Sequence, residues 1–322
     1  MTATLVRPLF AGPLDIVGDV HGEIEALHGL LHHLAYLSDG THPEGRRLVF
    51  VGDLVDRGPD SPAVVELVRR LVEEERAQCV LGNHELNILL GSRKPDNIWF
   101  FHHAPGEGQR REERPEVPAD ERTQEDMLRF FAALPVALER SDVRVVHAAW
   151  DDAMIAAARR STRADELHGD SRRDIDAAVE RHGLRDRIEI RLARQNENPV
   201  KFLTSGPEAR AEQPFESMGK IRNERRVAWW HEYTGPLCAF GHYWRIMLPE
   251  EVDNEGLFTD VPLNATLGRG DAMCIDYAVG KRFKERVAPG FAGAFRTRLA
   301  ALRLPERVLI FEDGSRLPLL HP

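Results

Sequence analysis

The 322-residue chain is 42% hydrophobic and 30% charged, the balance of a soluble globular protein long enough for one large α/β domain or two smaller ones. Its 43 Lys and Arg against 52 Asp and Glu leave a net charge of -9, which excludes a broadly basic nucleic-acid surface but not a local basic cleft. Cys79, Cys238 and Cys274 each sit inside an apolar run and read as buried, reduced thiols, so a disulfide framework is excluded and a reducing cytoplasm is expected.

Met1 to Phe10 has no basic stretch followed by a long apolar one, and no window approaches the roughly 18 apolar residues of a membrane span, so no membrane partner is expected. Leu14 to Val17 is a short strand-like run, closed by Gly18-Asp19-Val20-His21-Gly22. Glu23 to Leu37 then places Ile24, Leu27, Leu30, Leu31 and Leu34 at the spacing of one helical face. Leu48 to Val51 repeats the pattern with Gly52-Asp53-Leu54-Val55-Asp56-Arg57-Gly58 and a helix carrying Val64, Val65, Leu67, Val68, Leu71 and Val72. Cys79-Val80-Leu81 is a third strand, followed by Gly82-Asn83-His84-Glu85 and a helix through Leu86, Ile88, Leu89 and Leu90. Three strand-loop-helix units in succession predict parallel strands with right-handed crossovers.

Residues 91–123 turn charged and Pro-rich and read as a surface insertion anchored at Trp99, Phe100 and Phe101. A helix from Gln124 to Leu134 is stopped by Pro135; strands follow at Val136 to Leu138 and Val143 to Val146, the second delivering His147. Helical patterns at Ala153 to Arg160, Arg172 to Arg181 and Ile188 to Arg194 predict a cap or accessory segment over residues 150–235. Leu237 to Phe240 is a buried strand ending at Gly241-His242. Strands at Met273 to Tyr277, Leu299 to Leu302 and Val308 to Phe311, with the turn signal Asp313-Gly314, predict an antiparallel final third.

Five strand ends therefore carry metal-competent groups: Asp19 and His21, Asp53, Asn83 and His84, His147, and His242. Asp53 to Gly58 alone is also an ordinary polar turn; its coincidence with four other strand ends makes it a site. Oxygen and imidazole donors without thiolate suit first-row ions such as Mn, Fe or Zn. One carboxylate between two donor clusters can bridge two cations, and Asp53 is the candidate. Trp229-Trp230-His231-Glu232-Tyr233 reads as core before a strand rather than as a cleft wall.

Gly18 to Gly22, Gly52 to Gly58, Gly82 to Glu85, Val146-His147-Ala148 and Gly241-His242 together resemble the successive motifs of the calcineurin-like metallophosphoesterases, nearest to the Ser/Thr protein phosphatase branch and its bacterial members. The likeness runs from Leu14 to Tyr277 and implies an α/β fold, a two-sheet sandwich flanked by helices in a single domain over residues 1–322, with the helical cap inserted. It implies that Asp19 and His21 hold one metal, that Asp53 bridges two, and that Asn83, His147 and His242 hold the second. His84 paired with Asp56 would protonate the leaving oxygen, and Arg57 would grip the phosphoryl group together with Asn83. For a second phosphate-binding arginine, Arg222, Arg225, Arg226 and Arg245 are candidates, with Arg225 and Arg226 ranked first. Two departures stand out: Ala148-Ala149 replace the family's Gly-Gly after the histidine, and Trp244 stands where relatives outside this branch carry a second histidine.

The implied reaction is metal-dependent hydrolysis of a phosphate monoester on a phosphoprotein. Alternatives are a dinucleoside polyphosphate hydrolase, an RNA-end or nucleotide phosphatase and, remotely, a non-catalytic metal-stabilised binding module. The acidic total charge disfavours long RNA as a partner.

Overall fold

The computed structural model describes residues 4–102, 116–217, 220–249, 251 and 255–320. Strand β1 (Val6–Pro8) opens the chain. Three units follow, β2 (Leu14–Val17) with α1 (Ile24–His33), β3 (Arg47–Phe50) with α2 (Ser61–Glu73), and β4 (Ala77–Cys79) with α3 (Asn83–Leu89). As predicted, β2, β3 and β4 are parallel neighbours, with Leu14 opposite Arg47 and Leu48 opposite Ala77. Helix α2 is well started, because Asp60 accepts a 2.9 Å hydrogen bond from the Ala63 amide and Pro62 lies in the first turn.

Within the 91–123 segment, α4 (Ile98–Phe101) buries Trp99 and Phe100, and residues 103–115 lie outside the described residues. Helix α5 (Glu121–Ala133) leads to β5 (Ala137–Glu139) and β6 (Val143–Val146). Helices α6 (Asp152–Ala158), α7 (Ala164–Arg181), α8 (Arg187–Asn196) and α9 (Pro199–Ser205) follow. The chain runs on from them into an unforeseen hairpin, β7 (Glu208–Ser217) and β8 (Lys220–Arg226), outside both main sheets. Its strands carry charge on both faces and hold to α8 through ion pairs, Arg191 with Glu224 and Arg210 with Asp186 and Glu189. No apolar alternation marks it in the sequence.

Strands β9 (Leu237–Phe240) and β10 (Ala272–Cys274), then α10 (Arg282–Val287), β11 (Ala300–Leu304), β12 (Val308–Phe311) and β13 (Arg316–Pro318) complete the chain. The expectation of an antiparallel final third holds for β11 to β13 but is corrected at β10. That strand runs parallel to β9, Ala272 opposite Cys238, because the long crossover of residues 241–271 returns the chain to the same end of the sheet.

Two sheets result, one ordered β1-β5-β6-β9-β10 and the other β13-β12-β11-β2-β3-β4. Strand alternation explains why both pack. Ile16, Val49, Val51, Val145, Ala239 and Met273 face the slab between the sheets, while Val17, Leu48, Phe50, Val146, Cys238 and Phe240 face the helices. The three cysteines are free and buried. Trp229, Trp230 and Tyr233 are also buried, Trp230 stacking on Phe240 and Phe258, so this aromatic stretch is core.

Candidate metal centre and active site

Of the strands with site residues past their carboxyl ends, β2, β3, β6 and β9 are inner members of the two sheets and β4 is an edge strand beside β3, so their following loops meet at one edge of the sandwich. That meeting needs close backbone approach. A Cβ on Gly241 would strike the Asp19 carboxylate, and one on Gly82 would strike Asp53. The loops are also bent unusually: His21 (φ 49°), Asp53 (49°), Asp56 (72°), Arg57 (73°) and His242 (67°) are all left-handed. Each such residue costs on the order of 1 kcal/mol, so something must hold them.

Glu85 does much of the holding. Its buried carboxylate accepts from the amides of Asp53 (2.9 Å) and Gly82 (3.0 Å) at one oxygen and Leu54 (2.8 Å) at the other. Burial and the Asp53 charge push its pKa up to about 7. Glu85 lay inside a quoted motif but had no role in the sequence reading; its position three residues after Gly82, at the start of a helix, is the capping pattern that marks it.

Around Asp53 the donor atoms converge. Its Oδ2 lies 3.4 Å from His147 Nε2, 3.7 Å from His21 Nε2 and 3.9 Å from His84 Nε2. Asn83 Oδ1 lies 3.1 Å from His147 Nε2 and 2.7 Å from His242 Nδ1. The tautomers of two rings follow from the backbone. His147 Nδ1 meets the Val51 carbonyl at 2.7 Å and His21 Nδ1 meets that of Val55 at 2.9 Å; a carbonyl only accepts, so both Nδ1 atoms carry hydrogen and both Nε2 atoms are turned to the site. Asp19 is fixed from the far side, accepting from the His242 amide at 3.1 Å. Two overlapping groups, His21 with Asp53 and His84, and Asp53 with His147 and His242, are compact enough to hold a cation each. Carboxylate, amide oxygen and imidazole lone pairs aimed at one another fit the implied pair of metal ions, because only a cation or a proton stabilises that convergence.

The electrostatics agree. Burial alone would raise Asp53, but His147, His84 and His21 hold its carboxyl well below the usual range. Burial, Arg57 and His84 keep His21 neutral, and burial, Arg226 and His147 do the same for His242. Burial lowers His147, yet the Asp53 charge and hydrogen bond outweigh it and lift the pKa to about 10.

His84 Nδ1 lies 2.5 Å from Asp56 Oδ2, and the other Asp56 oxygen accepts from Trp99 Nε1 at 2.7 Å. Burial opposes a charged His84, but Asp53 and the Asp56 hydrogen bond raise its pKa. Arg57 Nη1 lies 3.1 Å from His21 Nε2 and its Nη2 3.1 Å from His84 Nε2, so its guanidinium stands at the metal-competent cluster.

These residues open into a cavity of about 440 Å³ whose wall also includes Lys94, Asp96, Arg222, Arg226 and Trp244. Arg226 and Arg222 line it. Arg225 does not: strand alternation in β8 turns it to the other face, where it is exposed, which corrects its ranking beside Arg226. Arg245 is buried elsewhere, its Nη2 bonded to the Pro262 carbonyl at 2.5 Å. The sequence reading also passed over Asp276. It is buried beside Asp19, and burial with the mutual charge raises the pKa of Asp19 well above the usual carboxylate range. Asp276 lies two residues past β10, but the sequence reading ran that strand on to Tyr277 and so hid it inside.

A family model described as calcineurin-like phosphoesterase matches residues 12–243. The bis(5'-nucleosyl)-tetraphosphatase PrpE (asymmetrical) of Oceanobacillus iheyensis is 51% identical over 74 residues, 22% of this chain and 30% of that protein. The protein of the same name from Bacillus velezensis is 32% identical over 163 residues, 48% of this chain and 64% of that one. Both matches cover less than two thirds of the relative's length. Among solved structures, a cold-active protein-tyrosine phosphatase of Shewanella sp. has a TM-score of 0.54 at 14% identity, covering 98% of this chain and 82% of that one. A protein serine/threonine phosphatase from Saccharomyces cerevisiae has a TM-score of 0.51 at 13% identity, covering 99% and 86%. At these identities the likeness is one of fold. Strand-end donors in the expected order, on a two-sheet sandwich matched by the family model over most of its length, lead to one conclusion: the chain belongs to the calcineurin-like phosphoesterase family.

Proposed function

We propose that the chain is a metal-dependent phosphoric ester hydrolase in which Asp53 is shared between two cation positions. Asp19 and His21 complete the first, and Asn83, His147 and His242 the second. The observation that carries the reading is the convergence of Asp53, Asn83, His147 and His242 donor atoms beside a cavity whose wall holds three guanidiniums, those of Arg57, Arg222 and Arg226. Manganese suits the oxygen and nitrogen donor set, with iron or zinc as alternatives. When bound, such a pair supplies Lewis-acid stabilisation of the phosphoryl oxygens and lowers the pKa of water.

The chain's own residues do the rest. Asp56, held by Trp99, keeps the hydrogen on His84 Nδ1 and turns Nε2 to the cavity, where a second proton is available to the leaving oxygen. Arg57 and Arg226 neutralise phosphoryl oxygens, Arg57 from within reach of both His21 and His84. Among substrates, we place nucleotide polyphosphates ahead of phosphoproteins. Two observations support this order: the curated relatives' name, and the spread of Lys94, Arg57, Arg222 and Arg226 around one cavity, more cation than a lone monoester uses. The helical segment over residues 150–235 and its hairpin then act as the cap that carries Arg222 and Arg226 to the site. Location in the cytoplasm belongs to the same proposal; among the described residues no helix is long and apolar enough to cross a membrane.

The test is turnover by the manganese-loaded protein of p-nitrophenyl phosphate, a dinucleoside tetraphosphate, a phosphopeptide and an RNA 3'-phosphate. Loss of all activity in Asp53→Asn and His84→Asn, with the tetraphosphate preferred, is the expected result. Unchanged activity in those variants overturns the enzyme reading, and preference for the phosphopeptide overturns the substrate order alone.

A further inference from the structure

Arg57 and Arg226 come from distant parts of the chain, yet they share a neighbour. Trp244, half-buried in the cavity wall two residues past His242, has the Arg226 guanidinium 5.2 Å and the Arg57 guanidinium 5.8 Å from its ring centroid. A third cation, Lys281 Nζ, stands 3.5 Å from the same centroid. Cations brought this close repel one another, and the electron-rich face of an indole is the neutral group best able to offset that repulsion.

We propose that Trp244 is a positioning residue: its indole is the shared platform that sets Arg57 and Arg226 side by side for a substrate phosphate. The inference rests on the reading that these arginines grip phosphate.

The two arginines depend on the ring unequally. Arg57 has other anchors, the His21 and His84 nitrogens and Asp96 at 3.7 Å. Arg226 rests on aromatic faces, Tyr243 at 5.3 Å besides Trp244, and its Nη1 is buried without a hydrogen-bond partner among the described residues. An aromatic face orients a guanidinium without using its N–H groups, so Arg226 keeps donors for an anion. Lys281 is itself tied down, because Glu251 pairs with it and, at 2.9 Å, with Lys284.

The experiment measures binding of inorganic phosphate by calorimetry and kinetics on p-nitrophenyl phosphate, both with the manganese-loaded full chain. Trp244→Leu is expected to raise the phosphate Kd and KM about tenfold with kcat within about twofold, and Trp244→Phe to restore both to within about threefold. In an Arg226→Ala background, Trp244→Leu is expected to add no more than about threefold, since the ring acts through the arginine. Should the leucine variant not fold, Trp244→Met, which also lacks a π face, carries the same expectation. If Arg226→Ala weakens phosphate binding and Trp244→Leu leaves it unchanged, the platform is overturned and the arginine assignment stands. An equal effect of Trp244→Leu with and without Arg226 overturns it likewise. If neither Arg57→Ala nor Arg226→Ala alters phosphate binding, the arginine reading fails and the platform with it.

Discussion

The two ends of β2 each carry a buried aspartate, and the contrast between them separates stability from chemistry. At the amino end, Asp15 is saturated by fixed donors: Arg46 Nε at 3.1 Å, Arg303 Nε at 2.7 Å and the Tyr36 hydroxyl at 3.0 Å. Arg46 is satisfied in turn by Glu306 at 2.8 Å and the Leu304 carbonyl at 2.6 Å. Past the carboxyl end, Asp19 faces Asp276 and Asp53, and burial together with these like charges raises its pKa. The first arrangement is a closed network that joins β2, β3 and β11. The second is a set of acceptors turned on one another in strained loops, which is what a cation site costs in the fold.

The sharpest way to break the contrast is one conservative change at each end. Asp53→Asn is expected to lower kcat/KM by at least about 1,000-fold, roughly 4 kcal/mol of transition-state stabilisation. Asp15→Ala is expected to do the reverse, costing about 3–5 kcal/mol in urea unfolding because Arg46 and Arg303 lose a buried partner, with activity per folded molecule unchanged. An equal loss of kcat/KM at both ends would show that the contrast is false.

How legible was each end? The convergence behind the proposed site was legible in strand-end residues of distinctive type, Asp19, His21, Asp53, Asn83, His147 and His242, because a sheet brings its strand ends together whatever the spacing in the chain. The Asp15 network was not, since Arg46, Arg303 and Tyr36 read as ordinary loop and strand residues until β11 is seen to pair with β2. Similarly, the hairpin that brings Arg226 to the cavity carries no apolar period, and its docking through Arg191 and Arg210 depends on tertiary contacts. Arg225 and Arg226 are adjacent in sequence, and only strand direction tells them apart.

Glu85 lies between the two cases, a structural group serving the site. Glu85→Gln sets an amide N–H against the backbone amides of Asp53, Leu54 or Gly82, so we expect about 1–3 kcal/mol of destabilisation. Activity should fall about 10–100-fold as the Asp53 loop loosens, read by unfolding and kcat/KM on one preparation.

His147 gives the contrast a pH signature. Its folded pKa of about 10 lies above the ordinary imidazole value of 6.5. In chelator-treated protein the charged imidazole therefore contributes stability that is complete below about pH 6.5 and is lost as pH rises through about 10. A metal ligand must be neutral, so manganese binding releases a proton there and its affinity rises with pH over the same window. Calorimetry in buffers of different ionisation enthalpy checks this, and no proton release at pH 7.5 would count against it.

The smallest effect concerns the outermost partner of the dyad. Trp99→Phe removes the hydrogen bond to Asp56 and is expected to cost about 1 kcal/mol, a fewfold loss in kcat on a substrate with a poor leaving group and less on p-nitrophenyl phosphate, which hardly needs an acid.

The central claim, that the strand-end carboxylates and imidazoles form a paired cation site around Asp53, is tested most directly by metal analysis of protein dialysed against manganese. About two ions per wild-type chain and fewer than about one per Asp53→Asn chain are predicted, with Asp15→Ala matching the wild type. Two ions retained in Asp53→Asn would contradict the account.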